Sequence, residues 1–235
     1  MGKHKLTRWA ELEKFNNVIQ PDSVNRFGND HPLKGKWKTE IFRNENPVIL
    51  ELACGKGEYT IALSERFPDN NYIGIDIKGA RMWRGAKTAH EKELPNAAFL
   101  RTRIEFISSF FCEDEIDEIW ITFPDPHPGR RNSNKRLTSP WFLNSYRNLL
   151  KNNGIIHLKT DNTELYNYTF SLVSHNNLEI IFATDNLYSE KLTAEILSVR
   201  THYENIFLKE GSGISYISFR LDKNKFIEDA ILQKK

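Results

Sequence analysis

Residues 48–57 read Val-Ile-Leu-Glu-Leu-Ala-Cys-Gly-Lys-Gly, and this stretch decides the fold. Its first six residues form a short apolar run that is typical of a buried strand. A turn with two glycines, Gly55 and Gly57, follows at once, and residues 59–67 have a helical pattern that ends before Pro68. A strand, a glycine-containing turn and a helix in this order predict the opening of a nucleotide-binding βαβ unit.

Two acidic residues indicate which kind of nucleotide this unit would bind. Asp76 lies near the end of the next predicted strand, 21 residues after Gly55, where a carboxylate can accept hydrogen bonds from a ribose diol. Glu51 lies inside the first strand, where it would repel a pyrophosphate but suit the amino and sulfonium groups of S-adenosylmethionine (AdoMet). The alternative for Glu51 is a core carboxylate paired with a lysine or arginine.

The rest of the chain alternates between strand-like and helix-like segments up to about residue 175, and two further strands follow. Seven strands are predicted, at residues 48–53, 72–77, 97–101, 116–123, 155–160, 178–183 and 214–221. This pattern predicts an α/β, Rossmann-like fold: a mostly parallel seven-stranded sheet with an antiparallel edge strand and helices on both faces.

Several candidate site residues fall at or near the carboxyl ends of the predicted strands. Because ligands of open α/β sheets lie beyond these ends, we expect four acids to converge on one rim: Glu51, Asp76, Asp125 and Asp161. Arg103 and Ile104 follow the third strand, at the edge where an adenine contact would fall.

A stiff, charged turn follows the fourth strand. Residues 120–136 read Trp-Ile-Thr-Phe-Pro-Asp-Pro-His-Pro-Gly-Arg-Arg-Asn-Ser-Asn-Lys-Arg. Three prolines restrict the backbone around Asp125, and four cations come after them: Arg130, Arg131, Lys135 and Arg136. An acid held beside a cationic loop predicts a catalytic edge that faces a polyanion. A solvated basic loop is the alternative.

Composition favours one domain with a basic extension. We expect residues 1–46, which mix basic and aromatic residues, to contact nucleic acid or to act as a solubilising arm, and residues 47–235 to form the domain. The net charge is only +2, so a polyanion site requires local clustering. Cys54 and Cys112 have no metal spacing, which argues against zinc or a disulfide and fits a reducing cytoplasm. We find neither a signal peptide nor a membrane-spanning apolar run in the sequence.

Three motifs, in this order, resemble those of the bacterial tRNA (guanine-N7)-methyltransferase family. The first is Asp-Pro-His-Pro-Gly-Arg-Arg-Asn-Ser-Asn-Lys-Arg-Leu-Thr at residues 125–138. The second is His-Leu-Lys-Thr-Asp-Asn at 157–162, and the third is Thr-His-Tyr-Glu at 201–204. Residues 51–57 and 74–76 match the AdoMet half of the family, and the similarity covers roughly residues 48–220. The resemblance implies a class I methyltransferase fold.

The resemblance also implies roles for individual residues. The reaction would be methyl transfer from AdoMet to N7 of a variable-loop guanine in tRNA. Asp125 would stabilise the charge that develops on the base and contact AdoMet, while Asp161, Thr201 and Glu204 would hold the base or its ribose. Four cations would pair with phosphates: Arg130, Arg131, Lys135 and Arg136. The residues implied for AdoMet are Glu51, Gly55, Gly57, Asp76, Arg103 and Ile104.

The sequence departs from the family pattern at four positions. Ala53 replaces a usual glycine, and an alanine is tolerated there if its φ stays negative. Arg103 replaces an acidic or amide residue that contacts the adenine in the family, so a backbone contact is expected there. His127 replaces a usual tryptophan, and Gly129 replaces a lysine that contacts the substrate.

Other functions remain open from the sequence. One is an AdoMet methyltransferase that acts on another RNA, a small molecule or a protein. Another is a non-catalytic RNA-binding protein on a Rossmann-like fold. A dehydrogenase is disfavoured by Glu51 and by the missing G-x-G-x-x-G fingerprint. The expected partner is tRNA, without metal or membrane, and the chain would be a monomer or a homodimer.

Overall fold

A computed structural model describes residues 3–21, 29–189, 195–200, 204, 206, 208 and 213–229. The chain divides into two compact units, Met1–Ile116 and Asp117–Lys235. No helix in the described ranges is long and apolar enough to cross a membrane.

The first unit is built on parallel strands in the order β1-β4-β3-β2. These strands are β1 (Val18–Ile19), β2 (Val48–Leu52), β3 (Asn71–Asp76) and β4 (Ala97–Arg101). Every residue of β2 and β3 is buried. Burial on both faces explains why these strands are near-continuous apolar runs rather than alternating patterns.

Three α-helices connect and cover these strands: α1 (Lys3–Leu12), α2 (Glu58–Arg66) and α3 (Gly79–Glu91). Helix α3 buries Met82, Ala86 and Ala89, and Leu12 of α1 joins that apolar cluster. A π-helix (Trp37–Phe42) and a 3-10 helix (Ile104–Ser109) complete the unit. Part of the predicted N-terminal extension therefore packs into the first unit.

The second unit has the strand order β5-β6-β8-β7. Its strands are β5 (Ile116–Thr122), β6 (Leu150–Thr160), β7 (Ile180–Thr184) and β8 (Ser215–Leu221). Strand β8 runs antiparallel to both β6 and β7. Helices α4 (Pro140–Leu149) and α5 (Thr163–His175) flank β6 in the chain, and 3-10 helices occupy Arg130–Lys135 and Glu195–Ser198.

The predicted α/β class, with a mixed, mostly parallel sheet and antiparallel strands at one end, is confirmed. Two details differ. The described residues contain eight strands rather than seven, because the two-residue strand β1 pairs with Phe99 and Leu100 of β4. The antiparallel strand β8 is not itself the outermost strand, because β7 pairs with its outer edge.

Candidate active site

The glycine turn (residues 53–57) connects β2 to α2 through three residues in the left-handed region. Their φ angles are 58° at Ala53, 57° at Gly55 and 69° at Gly57. The condition under which an alanine would be tolerated at Ala53, a negative φ, is therefore not met. The turn is fixed by main-chain hydrogen bonds, since the Cys54 N–H donates to the Ile75 carbonyl at 3.0 Å and the Gly57 N–H donates to the Cys54 carbonyl at 2.8 Å. A non-glycine residue with positive φ is uncommon and marks a constrained site.

The two glycines of this turn serve different purposes. A Cβ added at Gly55 would meet nothing closer than the Ala53 carbonyl oxygen at 4.0 Å, so the backbone there is open to an approaching ligand. A Cβ at Gly57 would collide with the Phe99 ring. Gly55 therefore leaves room outside the turn, whereas Gly57 lets the turn pack closely on β4.

Glu51 is buried, with 5% of its surface exposed. Its Oε2 accepts a hydrogen bond from the Thr60 N–H at 2.8 Å and another from the Thr60 hydroxyl. Thr60 lies in the first turn of α2, where unpaired main-chain N–H groups favour a negative charge. The carboxylate is thus held between the end of β2 and the start of α2.

Asp76 links the end of β3 to the glycine turn. Its Oδ2 accepts a hydrogen bond from the Gly55 N–H at 2.9 Å, and its Oδ1 accepts one from the Lys78 N–H at 2.7 Å. Each carboxylate oxygen can accept more than one hydrogen bond, so both retain capacity for a ribose hydroxyl. The main chain therefore orients Asp76 without using up its acceptors.

Glu51 and Asp76 both act on Cys54, which lies between them in the chain. Burial raises the pKa of the Cys54 thiol well above its usual range, and the charges of Glu51 and Asp76 raise the pKa further. The thiol stays protonated, and both carboxylates act on the same small volume. Two carboxylates beside an open glycine backbone fit a ligand with cationic groups and a ribose, as AdoMet has.

Arg103 and Ile104 lie just beyond β4, whose Arg101 is paired in register with Asp76. The Arg103 guanidinium is exposed and forms an ion pair with Glu105 at 3.0 Å. That ion pair occupies the side chain, so the main chain at 103–104 is the part of this segment that could contact an adenine.

The sequence did not indicate the packing that holds the glycine turn. The Phe99 ring of β4 lies in a slot formed by three glycines from different segments: Gly57, Gly74 and Gly85. A Cβ at Gly85 of α3 would lie 2.6 Å from the Lys56 carbonyl oxygen and 2.9 Å from the Phe99 ring. Helix α3 therefore contacts the main chain of the turn directly, which only glycine allows at this distance.

In the second unit, the Asp125 turn (residues 123–129) has an unusual backbone. Phe123, His127 and Gly129 have φ angles of 48°, 45° and 79°. The Phe123 N–H donates to the Lys159 carbonyl at 2.8 Å, which fixes the start of the turn on β6. Asp125 itself is exposed. Two non-glycine residues in the left-handed region are typical of a backbone constrained for function.

Arg136 braces the Asp125 turn from inside. It is only 4% exposed, its Nε donates to the His127 carbonyl at 3.2 Å, and its guanidinium lies 4.4 Å from the centre of the Tyr168 ring. It also forms an ion pair with Glu164, whose Oε1 accepts the Gly129 N–H at 3.0 Å. Arg136 was predicted to pair with phosphates, but a buried guanidinium with these partners instead holds the turn in place.

The other three predicted phosphate contacts lie on the 3-10 helix Arg130–Lys135. The side chains of Arg130, Arg131 and Lys135 are all exposed. The helix is fixed by inward polar contacts, because the Ser133 hydroxyl donates to the Arg130 carbonyl at 2.9 Å and the Asn132 amide to the Pro128 carbonyl at 3.2 Å. This helix presents three cations on a short, ordered element.

Asp161 and Glu204 have opposite environments. Asp161 is exposed directly after β6, beside Asn162, whose side chain caps α5 by accepting the Leu165 N–H at 2.8 Å. Glu204 is completely buried, 2.7 Å from the Lys159 ammonium, and it accepts a hydrogen bond from Tyr188. The structure therefore does not support the predicted substrate contact for the Glu204 side chain, because this carboxylate neutralises a buried lysine. Thr201 lies outside the described residues.

The pKa of Lys159 is lowered, because the effect of burial outweighs the opposing charge and hydrogen bond of Glu204. The Lys159 ammonium also donates to the Val199 carbonyl at 3.0 Å. The lysine therefore ties residues after the 3-10 helix Glu195–Ser198 to β6.

A second buried polar group explains the histidine of the 157–162 motif. The His157 ring stacks on Trp120 with a centroid distance of 3.8 Å, its Nδ1 lies 2.7 Å from the Tyr216 hydroxyl, and its Nε2 lies 3.2 Å from Glu118. These contacts join β5, β6 and β8, so His157 has a structural role. No group of three or more metal-ligating side chains occurs within the described ranges.

Comparisons with known proteins give concordant results. A family model described as "Putative methyltransferase" matches residues 45–217. A Christiangramia forsetii protein named tRNA (guanine-N(7)-)-methyltransferase is 49% identical over 94% of this chain and 99% of its own length. A Porphyromonas gingivalis protein of the same name is 52% identical over 89% of this chain and 86% of its own length.

Solved structures support the fold alone. The 16S rRNA methyltransferase KamB matches with a TM-score of 0.60 at 12% identity, over 80% of this chain and 94% of that chain. An antibiotic-related methyltransferase matches with a TM-score of 0.58 at 17% identity, over 85% of this chain and all of that chain.

Proposed function

Because the chain belongs to the tRNA (guanine-N(7)-)-methyltransferase family, we propose that it transfers a methyl group from AdoMet to N7 of a variable-loop guanine in tRNA. The observation that carries this proposal is the Asp125 turn. An exposed carboxylate follows a strand on a constrained backbone, and the three exposed cations of Arg130–Lys135 come next in the chain. This arrangement suits a base within a polyanion.

The first unit would hold AdoMet. Glu51 would face the cationic part of the ligand, Asp76 would accept the ribose hydroxyls, and the open backbone at Gly55 would allow close approach. The main chain at Arg103 and Ile104 would contact the adenine. Bound AdoMet would supply an electrophilic methyl group on a sulfonium.

The second unit would hold the guanine. N7 of guanine carries an in-plane lone pair, so no proton must be removed before it reacts. Asp125 would accept hydrogen bonds from the guanine N1–H and exocyclic amine, and its charge would stabilise the positive charge that develops on the ring. Much of the remaining rate enhancement would come from holding N7 in line with the methyl group. Asp161 would contact the ribose or the base.

The cationic 3-10 helix would position the tRNA. Arg130, Arg131 and Lys135 would pair with phosphates, which fixes the register of the RNA without reading its sequence. Binding of this kind weakens as salt increases. Action on tRNA and two free cysteines both favour a cytoplasmic enzyme.

The test is methylation of unmodified bulk tRNA with labelled AdoMet, followed by nucleoside analysis. We expect N7-methylguanosine from the wild-type protein. Asp125→Asn should lower kcat by about 100-fold, the scale found when one charge-stabilising group is removed from an active site. The matched control is Asp69→Asn, another exposed acid, which should retain full activity. Label in a different nucleoside would reject the proposal, and an unchanged kcat for Asp125→Asn would reject the role of Asp125.

A further inference from the structure

Six cations of the first unit each have a carboxylate partner within 4.0 Å. The pairs and their N–O distances are Lys34–Asp30 at 2.7 Å, Lys38–Glu45 at 3.9 Å, Lys56–Glu58 at 3.8 Å, Lys87–Glu11 and Lys87–Glu91 at 3.9 Å, and Arg103–Glu105 at 3.0 Å, together with Lys92–Glu65. Pairing of this kind is typical of a solvated surface that has no polyanionic partner.

Four cations without such a partner are grouped on α1 and at the start of α3, and we call them the α1–α3 patch: Arg8, Lys78, Arg81 and Arg84. All four are exposed, and no described carboxylate lies within 4.0 Å of their charged groups. Lys78, Arg81 and Arg84 are spaced by three residues at the start of α3, so they lie along one side of the helix. Lys14, Lys36 and Arg43 are also unpaired, but no two of them are three or four residues apart.

The position of Arg8 is set by packing. Its guanidinium lies 4.9 Å from the centre of the Trp83 ring, and the Trp83 indole N–H donates to Glu11 at 2.6 Å. Trp83 and Glu11 thus join α3 to α1, and Leu12 is buried in the apolar cluster beneath. A cation over an indole face is held at modest cost in side-chain freedom. Arg8 therefore adds a fourth charge to the patch, at a place that Trp83 of α3 defines.

The composition of this patch favours phosphate groups over a diffuse anionic surface. Three of its four cations are arginine, which can donate two parallel hydrogen bonds to one phosphate. The whole chain has a net charge of only +2, so four unpaired cations are a local concentration. Among the residues of α1 whose side chains are described, Leu6 is the one large apolar side chain that is exposed. One such side chain is too little to anchor the helix in a membrane.

We propose that the α1–α3 patch binds the tRNA phosphate backbone, as a second RNA contact in addition to Arg130, Arg131 and Lys135. This inference rests on the proposed function for the identity of the RNA. It assigns the N-terminal segment and α3 to substrate binding. The patch contributes affinity and places the tRNA, while the chemistry depends on other residues.

The test is direct binding of unmodified tRNA to Arg81→Ala/Arg84→Ala over a range of salt concentrations. Alanine has the highest helix propensity, so α3 should remain folded. We expect the Kd for tRNA to rise about tenfold and the slope of log Kd against log salt to fall by about 1.5, because two phosphate contacts are lost. The affinity for S-adenosylhomocysteine and kcat at saturating tRNA should stay unchanged.

The matched control is Lys34→Ala/Lys92→Ala, which removes two paired cations from the same unit and should leave the slope at the wild-type value. A wild-type slope for Arg81→Ala/Arg84→Ala would overturn the inference. So would reduced binding of this variant to phosphatidylglycerol vesicles with normal tRNA affinity. Binding is measured without turnover, so the two claims are tested separately. If the wild-type protein bound tRNA but formed no N7-methylguanosine, the proposed function would be rejected and the binding test of the patch would still stand.

Discussion

At the residue scale, Arg136 and Glu164 show how the Asp125 turn keeps its shape. One Glu164 oxygen accepts both the Gly129 N–H and the Arg136 guanidinium. These two hydrogen bonds, with that of Gly129 the larger effect, lower the pKa of Glu164. Arg136 in turn donates to the His127 carbonyl. His127 is therefore tied to α5 through the buried cation Arg136, and Gly129 is tied to α5 directly through Glu164.

We predict that Arg136→Lys lowers kcat by about tenfold or more without changing the salt dependence of tRNA binding. Lysine keeps the charge but cannot donate to His127 and Glu164 from one planar group or stack in the same way on Tyr168. The Asp125 turn should then sample other conformations. Steady-state kinetics at saturating tRNA would measure the change.

Arg130→Lys is the matched control, since it makes the same substitution at an exposed position of the neighbouring helix. It should leave kcat near the wild-type value. If Arg136→Lys instead kept full kcat, the guanidinium would not brace the turn. A change confined to the salt slope would return Arg136 to the phosphate-binding role that the sequence predicts.

Residues of the candidate site differed in how well the sequence predicted them. Asp125 was predicted to lie on a stiff turn, because prolines act locally on the backbone. The sequence did not indicate that Arg136 and Glu204 are buried, because burial of a charge depends on a distant partner. Arg136 pairs with a residue 28 positions later, and Glu204 with Lys159, 45 positions earlier. A charge run shows where cations are, but not which of them turns inward.

At the element scale, the Phe99 slot sets the distance between α3, β4 and the glycine turn. Glycine in the middle of a helix destabilises it by about 1 kcal/mol relative to alanine. Glycine is nevertheless required at position 85 of α3, because the Lys56 carbonyl and the Phe99 ring occupy the space that a side chain would need. The slot therefore couples helix packing to the conformation of the proposed AdoMet turn.

We predict that Gly85→Ala weakens AdoMet binding by about tenfold and lowers the free energy of unfolding by up to about 2 kcal/mol, the overpacking cost less the gain in helix propensity. The added methyl group must displace either the turn or the Phe99 ring. Calorimetric titration with AdoMet and denaturant unfolding would measure the two effects.

Thr88→Ala is the control, because it also increases helix propensity in α3 but adds no volume near the turn. It should leave AdoMet binding unchanged. Tighter folding and unaltered AdoMet affinity in Gly85→Ala would show that the slot can relax, and that α3 does not set the shape of the turn.

The strands could be predicted well because they are buried apolar runs, and β2, β3, β4 and β5 lie within one or two residues of their predicted ends. Strand β1 was not predicted, since two residues carry no periodic signal. Strand β6 begins at Leu150, five residues before the predicted start at 155. The prediction began late because the polar pair Asn152 and Asn153 is typical of a turn.

At the scale of the whole molecule, the two compact units carry different parts of the proposed reaction. The acids and glycines assigned to AdoMet belong to Met1–Ile116, and the residues assigned to the guanine belong to Asp117–Lys235. Strand order predicted that these acids lie at or near the carboxyl ends of strands, and the family resemblance implied which of them serve AdoMet and which serve the guanine. The sequence could not predict the glycine slot or the brace, whose contacts join residues far apart in the chain.

A ligand that binds only the folded state stabilises it by mass action, so AdoMet binding has a consequence for the whole chain. S-adenosylhomocysteine keeps the adenosine and amino acid parts of AdoMet and cannot react. At a concentration of 100 times its Kd, it should add about 2.7 kcal/mol to the free energy of unfolding. For a chain of this size, that corresponds to a rise in Tm of about 5–10 °C.

Two variants should show whether this stabilisation passes through the residues assigned here. Asp76→Asn retains the size of the side chain but replaces one acceptor oxygen, so it loses a hydrogen bond from the Gly55 or Lys78 N–H and one from the ribose. The rise in Tm at the same ligand concentration should therefore fall to less than half of the wild-type rise. Glu51→Gln should behave similarly, because it removes the buried negative charge that is proposed to face the cationic part of the ligand. Asp69→Asn, an exposed acid of the same unit, should keep the full rise. Thermal unfolding followed by circular dichroism gives each value. An equal rise in all four proteins would place the ligand elsewhere, whatever the activity of the enzyme.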